Sequence, residues 1–208
     1  MIQLSGRFRQ GKSTINQIFT LRQILEKVKE HRLETHNLFI DFKLAYDSIN
    51  RIQLYIAMKE FKIPGKLIRL VKATMENSMG QVKTMSGLSE PFQIKNGVRQ
   101  GDSLSCLLFN IALEKIVRDA DIQTRGTIFY KSMQILAYAD DIDIIGRTQK
   151  DVEKAFIALK HSADKMGLKV NEEKTKYMVM NVKENYNVSI KYINILNYKF
   201  ERVQSFAY

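Results

Sequence analysis

The chain has a single cysteine, Cys106, among its 208 residues. A lone thiol excludes an intramolecular disulfide framework and any cysteine-rich zinc site. The three histidines, His31, His36 and His161, show no metal-ligand spacing. With only two prolines there is no proline-rich linker, and no repeat or low-complexity run divides the chain. No stretch approaches the ~20 apolar residues that a membrane span needs. The segment from Met1 to Arg7 lacks the apolar run of a secretory signal. These absences lead us to expect one domain in a reducing intracellular compartment, cytoplasm or nucleus, with no membrane partner.

What is present is globular in composition, 45% apolar and 26% charged. A chain of this length can bury roughly two-thirds of its unfolded surface, enough for a real core. The 33 lysines and arginines outnumber the 22 acids, for a net charge of +11. That excess favours a polyanionic partner, nucleic acid before an anionic membrane.

Apolar spacing organises the chain. Ile18, Leu21, Leu25 and Val28 follow Thr14 and Gln17, a capping-box pair, and predict a helix to about Arg32. Leu38 to Phe42 reads as a buried strand ending in an acid. Helices are predicted over 51–61 and 66–75, punctuated by Pro64-Gly65, then a hairpin around Ser86-Gly87. Gln100-Gly101-Asp102 opens an apolar helix from about Ser103 to Val117. Strands over 133–137 and 142–145 flank a tight turn, Tyr138-Ala139-Asp140-Asp141. An amphipathic helix from Asp151 to Met166 ends at Gly167, a left-handed C-cap, and Tyr177 to Met180 is strand-like. Mixed rather than alternating elements indicate an α+β fold.

The acids carry the chemistry. Adjacent carboxylates such as Asp140 and Asp141 repel unless a cation lies between them, although aspartate is also a good turn residue. Asp41, at the end of another buried strand, is equally awkward alone, or else a helix N-cap. Together the three could hold two divalent cations, an arrangement suited to phosphoryl transfer. Hard oxygen ligands point to Mg²⁺, with Mn²⁺ as a substitute. Asp143 reads as a polar strand position without catalytic meaning.

Four segments, in order, resemble the motifs of reverse transcriptases. Phe39-Ile40-Asp41-Phe42-Lys43-Leu44-Ala45-Tyr46-Asp47 resembles motif A, and Asn96 to Ser105 with Leu108-Phe109 resembles motif B. Tyr138-Ala139-Asp140-Asp141 resembles motif C, and Gly167 to Asn171 with Lys174-Thr175 resembles motif D. Gly11 to Thr14 with Gln17-Ile18-Phe19 is similar to the segment before motif A in non-LTR (LINE-type) retrotransposon enzymes.

This resemblance implies a right-hand polymerase: an antiparallel palm sheet with packed helices, plus partial fingers. It implies a residual fingers segment over about 1–36, palm over about 37–180, and the start of a palm–thumb connection over about 181–208. Asp41, Asp140 and Asp141 would bind two Mg²⁺ ions, with the Phe42 carbonyl as a further ligand. Tyr46 would exclude a ribose 2′-OH, so that the substrate is a dNTP. Arg99, Gln100 and Gly101 would contact the nucleotide, and Lys174 would protonate the leaving pyrophosphate. The implied partners are an RNA template and a DNA primer, and the implied reaction is RNA-directed DNA synthesis. Taken singly, Tyr46 also reads as a core aromatic, Gln100-Gly101 as a turn, and Arg99 and Lys174 as solvated cations.

Where many relatives read Ser-Pro, this chain has Ser105-Cys106. Upstream fingers segments, the thumb and an endonuclease domain have no counterpart, so the chain reads as a fragment of a longer polyprotein. Two rivals stand beside this reading. Gly6-x-x-x-x-Gly11-Lys12-Ser13 satisfies the phosphate-loop pattern of an NTPase, though without a proper preceding strand. A relic that binds nucleic acid without turnover is the other.

Overall fold

The computed structural model describes residues 14–85, 87–122, 134–138, 141–180 and 191–205. A six-stranded sheet forms its centre, in the order β11-β12-β10-β1-β8-β7. The inner strands are β1 (Thr35–Ile40), β8 (Asp141–Gly146) and β10 (Lys176–Met180), with β7 (Gln134–Tyr138) at one edge. The hairpin of β11 (Tyr192–Ile195) and β12 (Tyr198–Arg202) completes the other side. All these pairings are antiparallel except β10 with β12, which is parallel.

Alternation along the strands divides the sheet's two faces. Leu38 and Ile40, with Ile142, Ile144, Ile135 and Ala137, turn to the main core. There they meet α3 (Arg51–Glu60) through Leu54 and Ala57, α5 (Ser103–Asp119) through Phe109 and Leu113, and α6 (Gln149–Met166) through Phe156 and Leu159. The alternate residues Leu136 and Ile145 face α1 (Thr14–Glu30) and pack on Val28. A fully buried side chain of this size contributes roughly 1.5–3 kcal/mol, so the first cluster outweighs the second several times over. The helical layer fixes the fold, and α1 is laid against the sheet's other face.

Local signals account for the helix boundaries. Asn50 caps α3 by accepting from the Ile52 and Gln53 amides, and Asp102 caps α5 by accepting from Leu104 N. Gly167, at φ 92°, ends α6 as the glycine predicted. A Cβ there would lie 2.4 Å from Ser48 O, so the absence of a side chain also lets α6 abut the segment before α3. Phe156 meets Tyr198 and Phe200 edge-on and anchors β12 to α6.

The strand expected through Phe42 stops at Ile40. Phe42–Lys43 forms a separate strand, β2, paired with β9 (Lys169–Val170). The predicted hairpin is present as two short ladders, β3–β6 (Met79–Gly80 with Phe92–Gln93) and β4–β5 (Lys83–Thr84 with Gly87–Leu88). Between them and α3 lies α4 (Gly65–Met75). No helix of the described residues is long and apolar enough to cross a membrane. The Gly6–Ser13 pattern, and the side chains of Thr14 and Gln17 with it, lie outside the described residues.

Candidate active site

Sheet register decides where the acids meet. β1 and β8 run antiparallel, and their last pair is Ile40 with Ile142. One residue beyond that pair stand Asp41 on one chain direction and Asp141 on the other, at the same end of the sheet. In the β7–β8 hairpin Tyr138 pairs with Asp141, and the two residues that connect them, Ala139 and Asp140, lie outside the described residues.

Asp41 does not continue the strand because its backbone is engaged elsewhere. Its carbonyl accepts from Asn171 N at 2.8 Å, and Asn171 O accepts from Thr175 N at 2.9 Å. The Thr175 hydroxyl in turn accepts from Asp41 N at 3.3 Å. This closed ring joins the end of β1 to the loop that carries Lys174, and Thr175 is wholly buried within it. Lys174 itself is exposed. Asp41 is half-buried, and its Oδ2 is buried without a hydrogen-bond partner. Such an atom costs about 1–3 kcal/mol or more unless something supplies a positive partner, so it fits a cation ligand. Among the described residues no group of three or more His, Cys, Asp or Glu side chains could hold a metal. Asp41 and Asp141 are the two described acids of the expected triad.

After β2 the chain turns sharply. Leu44 sits in the left-handed region at φ 46° and leads into α2 (Ala45–Ser48), a strained conformation for a residue with a side chain. This turn brings the Tyr46 ring parallel to Phe109, with centroids 4.6 Å apart and planes 17° apart. The ring is half-buried, packed on the core yet at its rim. Phe42 is buried, so only its backbone can serve a ligand.

The segment before α5 is sewn onto this turn. Gly97 N donates to Ile49 O at 2.7 Å and Val98 N to Tyr46 O at 2.9 Å. Gly97 has φ 81°, and a Cβ there would lie 2.7 Å from Asp47 O, so only glycine permits the approach. Arg51 clamps the same loop, donating to Gly97 O at 2.8 Å, Ile94 O at 3.0 Å and Met75 O at 2.6 Å. Arg99, Gln100 and Gly101 are exposed just beyond, and Gly101 has φ 88°. Gln100 Nε2 donates to Asp47 Oδ2 at 3.1 Å.

The structure thus brings Tyr46, Gln100 and Asp47 together, and Asp41, Asp141 and the Lys174 loop together. Asp47, Arg51, Gly97 and Thr175 were not singled out from the sequence. Asp47 and Thr175 stand inside the motif A and motif D segments, where adjacency to Tyr46 and Lys174 was the available signal. Gly97 likewise stands inside the segment likened to motif B, whereas the contacts of Arg51 are long-range and leave no local pattern.

Asp143 departs from its reading as an ordinary polar position. It is only 3% exposed, and neither carboxyl oxygen has a hydrogen-bond partner. Burial pushes its carboxyl well above the usual carboxylate range.

A mostly antiparallel sheet backed by helices, with acids at one end of its central strands, is the α+β palm of a polymerase. Solved telomerases share it. The chain superposes on telomerase from Candida albicans with a TM-score of 0.67 at 15% identity, covering 91% of this chain and 33% of that one. For telomerase from Candida tropicalis the TM-score is 0.63 at 21% identity, covering 82% and 29%. Both were solved in complex with a fragment of telomeric RNA.

The family model described as reverse transcriptase (RNA-dependent DNA polymerase) matches residues 2–200, and the chain belongs to that family. It is 30% identical over 163 residues to the retrovirus-related Pol polyprotein from type-1 retrotransposable element R2 of Bradysia coprophila. It is 25% identical over 150 residues to the corresponding polyprotein of Nasonia vitripennis. These alignments cover 75% and 71% of this chain but span only 18% and 15% of the relatives' lengths. The similarity places this reverse transcriptase domain with those of non-LTR retrotransposons.

Proposed function

We propose that this chain is the palm of an RNA-directed DNA polymerase that joins a dNTP to a primer 3′-hydroxyl on an RNA template. The observation that carries the reading is the β1–β8 register, which sets Asp41 level with Asp141; beside it, Asp41 Oδ2 is buried without a hydrogen-bond partner. Family membership and the net charge of +11 support a nucleic-acid partner.

Asp41, Asp141 and Asp140 would hold the divalent ions, Mg²⁺ by the hardness of the oxygen donors, with the Phe42 carbonyl as a further ligand. Bound there, the ions would stabilise charge on the attacking and leaving oxygens. The chain's own residues do the rest. Tyr46, braced by Phe109, occupies the rim where a ring excludes a 2′-hydroxyl. Gln100 and Gly101 border the nucleotide beside it, and Arg99 meets phosphate. As the primer hydroxyl gives its proton to solvent water and its oxygen bonds to the α-phosphorus, the bond from that phosphorus to the bridging oxygen breaks, and the Lys174 ammonium supplies the leaving pyrophosphate's proton.

The test is primer extension on an RNA template with Mg²⁺ and dNTPs, using this chain and one extended at both ends. Template-dependent incorporation by either is expected, lost on Asp140→Asn. Salt-sensitive binding of nucleic acid with no incorporation by either chain would overturn the polymerase reading in favour of a passive binder.

A further inference from the structure

We propose that Asp47 is a positioning residue that fixes the orientation of the Gln100 amide, so that Gln100 presents its oxygen, a hydrogen-bond acceptor, to the nucleotide. The proposal rests on the reading of Gln100 as a nucleotide-facing residue given above.

An ionised carboxylate only accepts hydrogen bonds, whereas an amide has one end that donates and one that accepts. Asp47 Oδ2 and the Gln100 amide nitrogen are 3.1 Å apart. Turning the amide over would set its oxygen against the carboxylate, two acceptors facing one another with no proton between them. The orientation is therefore dictated by Asp47. With the nitrogen held inward, Oε1 is the atom left for a ligand.

This hydrogen bond is not needed to dock the two segments. Gly97 N on Ile49 O, Val98 N on Tyr46 O, and the Gly97 and Ile94 carbonyls gripped by Arg51 already join them. Gly97 is also pressed against the Asp47 backbone, where no side chain could fit. Asp47 and Gln100 are both exposed, and an exposed hydrogen bond adds little to stability. A bond that the fold can spare, placed between an acid on a closely docked backbone and a side chain at the rim, has orientation as its remaining effect. Gln100 has several rotatable bonds, and holding it in place in advance removes an ordering cost that nucleotide binding would otherwise bear.

The experiment is a double-mutant cycle with Asp47→Asn and Gln100→Ala, in the chain extended at both ends. It reads KM for dNTP, kcat and melting temperature. Asparagine has nearly the same shape but can meet either end of the amide, so it releases the orientation. Asp47→Asn is expected to raise KM for dNTP about threefold, with kcat changed less and the melting temperature unchanged. In the Gln100→Ala background the same substitution should add nothing, because the group it orients is gone. Additive losses in an active enzyme, or a KM rise that appears only with a lowered melting temperature, would overturn the proposal alone. No incorporation by the unsubstituted extended chain would overturn the polymerase reading, and this proposal with it.

Discussion

Asp141 and Asp143 are two residues apart on one strand and, by alternation, point to the same face of the sheet, yet they are different chemical groups. Asp141 begins β8 at the rim, half-buried and level with Asp41. Asp143 lies one step inward, between Phe39 and Leu136 in the register, sealed from water. The same face continues inward through Asn37 and Thr35, also wholly buried, whose side chains lack hydrogen-bond partners. At the rim a carboxylate stands where a cation can reach it. Inside, desolvation favours the protonated acid, which is useless as a metal ligand. Position along the strand, not residue type, separates the two.

Exchanging the rim carboxylate should give the largest effect. Asp141→Asn, in an extended chain that incorporates dNTPs, is expected to lower primer extension by about a thousandfold or more, roughly 4 kcal/mol. Nucleic-acid affinity at fixed salt should stay nearly constant. Retained incorporation would remove the rim acid from the chemistry.

Asp143→Asn should act in the opposite sense, on stability. The folded acid holds its proton to a higher pH than the unfolded one, whose ordinary value is near 3.8. The unfolded state therefore releases its proton first, and wild-type stability falls as pH rises above that value. Relative to the variant, the fall should approach about 1.4 kcal/mol per pH unit until the buried acid ionises. Denaturant unfolding of both proteins across that range measures it, and parallel curves would show that Asp143 is ionised in the fold.

Tyr46 tests the rim from the nucleotide side. Tyr46→Val removes the ring that stacks on Phe109 and should cut dNTP-over-rNTP preference by about tenfold or more, roughly 1.4 kcal/mol. An unchanged preference in single-nucleotide incorporation would make the ring a packing element only.

The smallest effect belongs to the interior of β1. His36 bonds Tyr177 through Nδ1 and Glu34 through Nε2 at 3.1 Å. Burial lowers its pKa, only partly offset by Glu34, and burial also pushes Tyr177 up to about 12. The unfolded histidine takes up its proton at higher pH than the folded one, so stability rises with pH through the window just below 6.5. Thermal melts of wild type and His36→Gln should diverge there, wild type gaining on the variant as pH rises. Equal melting curves through that window would mean that His36 is solvated in the fold.

Rim and interior were not equally legible in the sequence. The apolar run before Asp41, the Gln100-Gly101-Asp102 opening of α5 and the glycine after α6 are local patterns; α5 and α6 formed near their expected bounds, and β1 ended two residues short of its own. Asp143 has the same neighbours in sequence as a solvent-facing strand residue, and only the cover provided by α1 and the rest of that face makes it a buried acid. Asp41 ends its strand because two residues more than a hundred positions later take its backbone bonds. The β2–β9 pair likewise depends on partners that no window of sequence contains, as does the docking of the local β11–β12 hairpin on β10.

The ring of hydrogen bonds through Asp41, Asn171 and Thr175 has a mechanical consequence. It makes the end of β1 and the loop bearing Lys174 a single moving part. In a hinged machine, two tools mounted on separate arms must be brought into register at every cycle. Here the acid that would grip the metal and the lysine that would discharge the leaving group ride on one mount. Any displacement of the loop as a nucleotide arrives is transmitted to Asp41 through two backbone contacts and one hydroxyl. Thr175 is the fastener that closes the mount.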